Sequence, residues 1–449
     1  MTALALRGVR RGLAGPGKRV GWGLADQGLS SLTNFLVGIV IAKNVGLEDF
    51  GAYALTFSAY CLVLGVGRAV ASEPFAVRYS AVKSEQSQAA AAAAAGTALL
   101  LGAAGSVFAL AACALLPEEY RGLAAALAII LPGVILQDAW RLLFFARGEG
   151  RAAFANDLVW AVLLVPAFAV DFLDGDVSAA SLFLAWGCAG AVAAVFGAIQ
   201  FGALPSAAAS RDWLKDNKAL WPRYVCEGLA INGSQQIYMF VLAGITGLAS
   251  VGALRLVLVV LGPVNVLVQG IGAVAVPEAA RALTVGRAKL RRTAAVFSVL
   301  VATGAAAWGL VVFILPEQWI AAVAGPGWSA ATALALPLVL VQVLNGARTG
   351  PIAALRAMGE ARRSMWTRIA VSLLNILLAV GGALAAGITG AAWGLALAAF
   401  LNLCLWLLQY KLAGASTGES ARMVSNNRTS PAHRARESST STRGRGNNE

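Results

Sequence analysis

The stretch "VGLEDFGAYAL" (residues 45–55) recurs later in the chain as "TGLASVGALRL" (residues 246–256). A Gly-Leu pair, a Gly-Ala pair and a final leucine are identical in both copies, at a constant offset of 201 residues. Further on, "LPGVILQDAWR" is echoed by "LPLVLVQVLNGAR", and "RGEGR" by "MGEAR". The chain therefore contains two copies of one unit.

The composition is that of a polytopic membrane protein. The chain is 59% hydrophobic and 13% charged, with a mean hydropathy of +0.72, whereas soluble domains carry about 25% charged residues. Apolar runs long enough to span a bilayer, roughly 17–25 residues, recur along the whole sequence. They predict an all-α fold of about twelve transmembrane helices, at residues 21–43, 50–72, 92–116, 123–146, 154–173, 179–204, 224–245, 250–276, 293–315, 330–355, 365–386 and 390–411.

Six helices in each copy give both copies the same orientation, which is the parallel kind of repeat. We therefore expect two six-helix lobes, at residues 21–204 and 224–412, joined by a basic cytoplasmic linker at 205–223. A basic cytoplasmic tail at 1–20 precedes them. The tail at 413–449 is rich in Ser, Arg and Asn, and such a composition predicts disorder.

Positive charge is distributed very unevenly along the chain. Of 35 Lys and Arg residues, 28 fall in the tails and in alternate loops, and only Lys43 and Arg121 fall in the opposite loops. This positive-inside pattern predicts a multi-pass protein of the inner (plasma) membrane with both termini cytoplasmic. We expect the basic surface to contact anionic lipids and not nucleic acid.

Several chemistries are excluded by residue type. The only histidine, His433, lies in the C-terminal tail, and the five cysteines form no CxxC motif. Histidine metal sites and Ser-His or Cys-His catalysis are thus excluded from the membrane domain. No GxxxxGK[ST] loop is present, which argues against ATP hydrolysis. We expect no enzyme activity, no metal and no cofactor, and we expect an ion gradient, the membrane potential or substrate flow to drive any transport.

An acid lies within the first predicted helix. Asp26 and Asn34 share one polar side of that helix, and the offset of 201 carries them onto Glu227 and Gln235. A carboxylate in hydrocarbon costs about 3 kcal/mol or more, so such groups usually face a cavity or a partner. We interpret Asp26 and Glu227 as ion-coupling residues, and Asn34 and Gln235 as substrate contacts. The alternative is a buried structural ion pair, or acids in the interfacial layer at the helix ends.

The predicted spans contain more arginines than the few acids within them can neutralise. Arg348 lies in "LNGARTGPIAAL", where Gly and Pro weaken the helix, and broken helices at membrane depth line protein or water. A guanidinium beside exposed backbone N–H groups suits a phosphate oxygen, so Arg348 and Arg255 predict an anionic, phosphorylated substrate. Arg68 and Arg368, near span ends, are interpreted as snorkelling or locally paired.

Asp138 and Arg141 are also candidates for substrate binding. They lie three residues apart in "QDAWRLLFF", and an i, i+3 pair on a helix can instead neutralise itself.

Three motifs resemble one known family. These are "QGLSSLTNF" (27–35), "AKNVGLEDFGAYAL" (42–55) and "MGEAR" (358–362). Together they resemble the polysaccharide-transport family of lipid-linked oligosaccharide flippases and exporters. That family shares a superfamily with multidrug extruders and lipid II flippases. The lipid II branch usually adds two helices after the twelfth, and this chain ends in a polar tail.

The resemblance implies alternating access between two lobes around a central cavity for a prenyl-pyrophosphate-linked glycan. It implies that Arg255 and Arg348 hold the pyrophosphate and that Asp26 couples transport to an ion. Glycosyltransferases and a polymerase of the same pathway would be partners.

Three hypotheses remain open from sequence. The first is a transporter that flips a lipid-linked oligosaccharide or exports a related polysaccharide precursor. The second is a cation/drug antiporter, against which the excess of arginine argues. The third is a non-transporting membrane scaffold for surface-glycan assembly.

Overall fold

The computed structural model describes residues 3–80, 85–175 and 177–429, and within those ranges the chain is helical without a strand. The helices are α1 (Ala3–Asn44), α2 (Leu47–Gly67), α3 (Glu73–Tyr79), α4 (Glu85–Leu115), α5 (Glu118–Ala146), α6 (Gly150–Asp174), α7 (Ala179–Phe201), α8 (Ser210–Asp216), α9 (Trp221–Gly228), α10 (Ser234–Thr246), α11 (Leu248–Val260), α12 (Gly262–Val285), α13 (Arg287–Ile314), α14 (Glu317–Ala324), α15 (Trp328–Ala331), α16 (Ala335–Ala347), α17 (Thr349–Ala357) and α18 (Ala361–Thr429).

Ten helical segments of the described chain are long and apolar enough to cross a membrane by themselves. The last of them holds two spans, because the backbone of α18 leaves the helical conformation at Ala386 and Gly387. The seventh span is α9 and α10 joined by a π-helical turn, Leu229–Gly233, and the eighth is α11 followed by α12. The predicted all-α fold of twelve spans in two lobes is therefore confirmed, with breaks that hydropathy does not show.

A second π-helical turn, Arg68–Ser72, joins α2 to α3 within the second span. Its cause is Pro74. A proline has no N–H to give to the carbonyl of residue i−4, here Val70, and in a regular helix its ring would clash with that carbonyl. The wider turn relieves the clash, and the N–H of Glu73 bonds to Arg68 O, five residues back as in a π-helix.

The two lobes meet where α2 crosses α11, at the ends of the spans opposite the linker. The crossing is reciprocal: a Cβ added at Gly51 would overlap the carbonyl of Leu248, and a Cβ added at Gly252 would overlap the carbonyl of Leu47. These are equivalent positions of the repeat at offset 201. The repeated glycines let two backbones touch and close the protein at this end.

The backbone of α18 continues as helix to Thr429, although the sequence predicts disorder from residue 413. Extending an existing helix needs no new nucleus, and each added residue gains a hydrogen bond. The disorder expected from composition stays a prediction. Residues 430–449, the rest of that predicted tail, lie outside the described ranges.

Gly51→Ala and Gly252→Ala should each separate the lobes at this crossing, because overpacking a closed contact costs about 1–3 kcal/mol. Spin labels at Glu48 and Ala249, both exposed, should report longer inter-label distances in these variants. Gly65→Ala, where a Cβ meets nothing within 4 Å, is the matched control in the same helix. Distances equal to those of the control would show that the crossing tolerates a side chain.

Candidate functional site

Five ionisable side chains from α1, the π turn after α2, α5 and α6 meet inside the N-terminal lobe. They border a cavity of about 600 Å³ that also reaches Asn34. We call them the N-lobe cluster: Asp26, Arg68, Asp138, Arg141 and Asp157.

Arg141 is at the centre of this cluster. Its Nε and Nη2 donate to Asp26 Oδ2 at 2.8 and 2.6 Å, and its Nε lies 3.2 Å from Asp157 Oδ2. The predicted i, i+3 contact with Asp138 exists at 3.7 Å, but the main partner of Asp138 is Arg68. The Nε and Nη2 of Arg68 donate to Asp138 Oδ2 and Oδ1 at 2.7 and 2.6 Å.

The interpretation of Arg68 as snorkelling or locally paired is therefore wrong. The π turn places its guanidinium toward α5, and the pair spans 70 residues of sequence. A two-pronged contact of this kind is the strong geometry for an arginine and a carboxylate.

The cluster carries one more negative than positive charge, because three carboxylates face two guanidinium groups. Asp26 is fully buried, and Asp138 and Asp157 are each 6% exposed. The carboxylate of Asp157 also accepts a hydrogen bond from Gln137 Nε2 at 2.8 Å. Asp26 Oδ1 is buried and has no hydrogen-bond partner among the residues that the structure describes. A buried charge left uncompensated is costly, so the excess makes this a place for a further positive charge.

The second cavity has the opposite polarity. It measures about 560 Å³, is formed mainly by the C-terminal lobe, and no Asp or Glu side chain is among the described residues that border it. We call it the C-lobe cavity. Its cations are Arg255, Arg348 and Arg356, and its amide side chains include Asn34, Gln235 and Gln342.

The arginines of the C-lobe cavity have no ion-pair partner within the described part of the chain. The guanidinium of Arg255 lies 5.1 Å from the ring centroid of Phe57, and its Nε is buried without a hydrogen-bond acceptor in that same part. Unused donors of this kind suit an anionic ligand.

The predicted site residues thus separate into two groups. Arg255, Arg348, Asn34 and Gln235 border the C-lobe cavity, and Asn34 borders both cavities, which places the side of α1 between them.

The other group, Asp26, Asp138 and Arg141, belongs to the N-lobe cluster. Glu227 joins neither group, because it is exposed and borders a smaller cavity with Arg356 and Arg368. The repeat relates Glu227 to Asp26 in sequence, but the structure does not bring them together.

Two site residues were missed from sequence. Asp157 follows Asn156 within the predicted span 154–173, and a carboxylate at that depth was the available signal. Arg356 lies one residue past the predicted end of the span 330–355, at the limit of what hydropathy resolves.

Arg141→Met should lower the free energy of unfolding by about 3–5 kcal/mol, because it leaves two buried carboxylates without their cation. Denaturation in detergent micelles measures this change. The double variant Asp26→Leu/Arg141→Met should recover a large part of the loss. Arg281→Met, which removes an exposed i, i+3 pair with Glu278, should have little effect. Equal effects of Arg141→Met and Arg281→Met would mean that water reaches the N-lobe cluster freely.

No protein-family profile and no curated protein sequence matches the chain. Solved structures do match. A lipid II flippase MurJ in an inward closed conformation superposes with a TM-score of 0.66 and 13% identity, over 85% of this chain and 86% of that one. An inward-facing multidrug resistance MATE family transporter of the MOP superfamily gives a TM-score of 0.60 and 14% identity, over 87% and 95%.

A third structure is a MOP superfamily transporter from Pyrococcus furiosus, for which the reverse polarity of its binding pocket suggests a different function. It gives a TM-score of 0.55 and 16% identity, over 90% of this chain and 96% of that one. At these identities the likeness is one of fold. The chain therefore has the all-helical, two-lobe fold of these transporter structures.

Proposed function

We propose that this protein is a membrane transporter that flips a lipid-linked oligosaccharide, carried on a prenyl pyrophosphate, from the cytoplasmic to the outer leaflet. Export of a related polysaccharide precursor belongs to the same proposal. The observation that carries it is the C-lobe cavity, which is bordered by the half-buried Arg255 and Arg348 and the exposed Arg356, and by no Asp or Glu among the described residues. A pyrophosphate would supply the anionic partner that these arginines lack.

The polar lining of the C-lobe cavity supports a glycan headgroup. Guanidinium groups bind phosphate oxygens through two parallel hydrogen bonds, which assigns the pyrophosphate to Arg255 and Arg348. The amides of Asn34, Gln235 and Gln342 can donate to and accept from sugar hydroxyls. The prenyl chain would stay in the bilayer while the headgroup crosses between the lobes.

The cavity also weighs against the other two hypotheses. A cationic drug would be repelled by Arg255, Arg348 and Arg356. In a scaffold without a substrate, the buried guanidinium donors would stay unpaired and would only lower the stability of the protein.

The N-lobe cluster supports coupling to an ion. Its single excess negative charge would be neutralised by one proton, and Asp26 Oδ1 offers an acceptor with no described partner. We propose that a proton enters and leaves here as the lobes rock.

The inner-membrane location, the cytoplasmic termini and the contact with anionic lipids follow from the distribution of Lys and Arg. The same proposal makes glycosyltransferases and a polymerase the partners that supply and use the glycan.

Arg348→Gln and Arg255→Gln should each slow flipping about 10- to 100-fold, the effect of losing a hydrogen-bonded charge worth about 1.5–3 kcal/mol. The assay follows a prenyl-pyrophosphate oligosaccharide across the bilayer of proteoliposomes. Arg291→Gln, on the exposed start of α13, is the matched control and should flip normally. Export of cationic dyes with no movement of the glycan would instead establish the antiporter.

An inward proton gradient should change the flipping rate of the wild type and not that of Asp26→Asn, because the substitution removes the carboxylate that takes up the proton. The control is Asp174→Asn, at the exposed end of α6. The same response to the gradient in both variants would remove Asp26 from the coupling step.

A further inference from the structure

The linker between the lobes is docked onto the N-terminal lobe along its length. The N–H of Ser206 donates to Ala92 O at 2.8 Å, and Gly96 lies so close that a Cβ there would overlap the carbonyl of Ser206. Arg78 Nη2 donates to Asp216 O at 2.7 Å. A loop that served only to connect the lobes would not need these contacts.

Trp213 on α8 is the largest buried side chain of the linker. It is 5% exposed and packs in one buried cluster with Phe75, Trp140 and Phe201. Its indole Nε1 donates to Val70 O at 3.1 Å.

The carbonyl of Val70, which accepts the hydrogen bond from Trp213, lacks the donor that a regular helix would give it. Val70 lies in the π turn Arg68–Ser72, and in a regular helix its carbonyl would bond to the N–H of residue 74. Residue 74 is a proline and has no N–H. Buried carbonyls need a donor, and the indole supplies one from outside the helix.

The same π turn carries Arg68, which makes the two-pronged pair with Asp138 in the N-lobe cluster. On its other side the turn contacts α9, the first helix after the linker. The π turn therefore contacts both α8, which is fixed to the N-terminal lobe, and α9, which begins the C-terminal lobe.

We propose that Trp213 is a positioning residue. Its hydrogen bond to Val70 holds the π turn in the position in which Arg68 pairs with Asp138. The bond therefore ties the position of the linker to the N-lobe cluster. Because the linker joins the lobes, it ties their relative position to that cluster as well. The mechanistic meaning of this tie rests on the proposed transport function. The tie itself is a property of the folded protein and can be measured without a substrate.

The test uses Trp213→Phe, which keeps an aromatic ring and removes only the N–H. Trp221→Phe is the matched control, because Trp221 Nε1 also donates to a backbone carbonyl of the linker, Leu214 O at 3.2 Å, and not to the π turn. Hydrogen exchange of the full-length protein should be roughly fivefold to tenfold faster around residues 68–79 in Trp213→Phe, the factor for one lost hydrogen bond. The control should exchange like the wild type.

The second measurement is the distance between spin labels at Glu48 and Ala249 on opposite lobes. Trp213→Phe and Arg68→Gln should shift the distance distribution in the same direction, and the double variant should shift it no further than Arg68→Gln alone. Trp221→Phe should leave it unchanged.

A wild-type rate of hydrogen exchange around residues 68–79 in Trp213→Phe would show that the hydrogen bond does not hold the turn. Faster exchange with a wild-type distance distribution would overturn the tie to the lobes and leave Trp213 a packing residue. Neither result depends on transport, so a protein that fails to flip any prenyl-linked glycan would disprove the proposed function and leave this inference to be judged by exchange and distance.

Discussion

Arg141 holds Asp26 and Asp157 together inside a lobe that is surrounded by lipid. Hydrocarbon cannot solvate a carboxylate, so each acid must find a cation, a proton or water within the protein. This one requirement fixes α1, α5 and α6 against one another through a single guanidinium. Arg68 adds the second span to the same arrangement through Asp138. The packing of the N-terminal lobe around its acids is thus set by charge as well as by the apolar residues between the helices.

The two lobes share a plan and differ in chemistry. The repeated glycines, Gly51 and Gly252, meet each other's helix reciprocally where the lobes touch, and here the repeat predicts structure well. The acids do not follow it, since Asp26 is fully buried and Glu227 is exposed. One lobe has become the acidic half and the other the basic half of the interior. This division fits the proposed transport function, in which an ion and an anionic substrate bind at different places in the protein.

The twelve spans could be predicted from sequence because hydropathy and the positive-inside pattern are properties of single helices and their flanking loops. The two lobes could be predicted because the sequence repeats. The sequence grouped six residues as substrate contacts, of which Arg255, Arg348, Asn34 and Gln235 border the C-lobe cavity while Asp138 and Arg141 lie in the N-lobe cluster. Their roles stay predictions. The sequence did not predict the partner of Arg68. That pair depends on how the π turn rotates Arg68 toward Asp138, which lies 70 residues further along the chain. Glu227 shows a related limit, since equal positions in a repeat share depth in the membrane while their neighbours differ. Its ion-coupling role stays a prediction.

The π turn at Arg68–Ser72 has a consequence for the whole second span. A π turn accommodates one residue more than the regular helix would, and one residue is about 100° of rotation around the axis. The faces of α2 and α3 are therefore out of phase: Arg68 faces the interior of the lobe, while Phe75 and Arg78 face the linker. A single-residue deletion here would remove the wider turn, bring the ring of Pro74 against the carbonyl four residues back, and turn the half of the span beyond Ser72 by about 100° away from the surface that it now covers. Pro74 and the length of this segment together set which face of the span meets the interior of the lobe and which meets the linker.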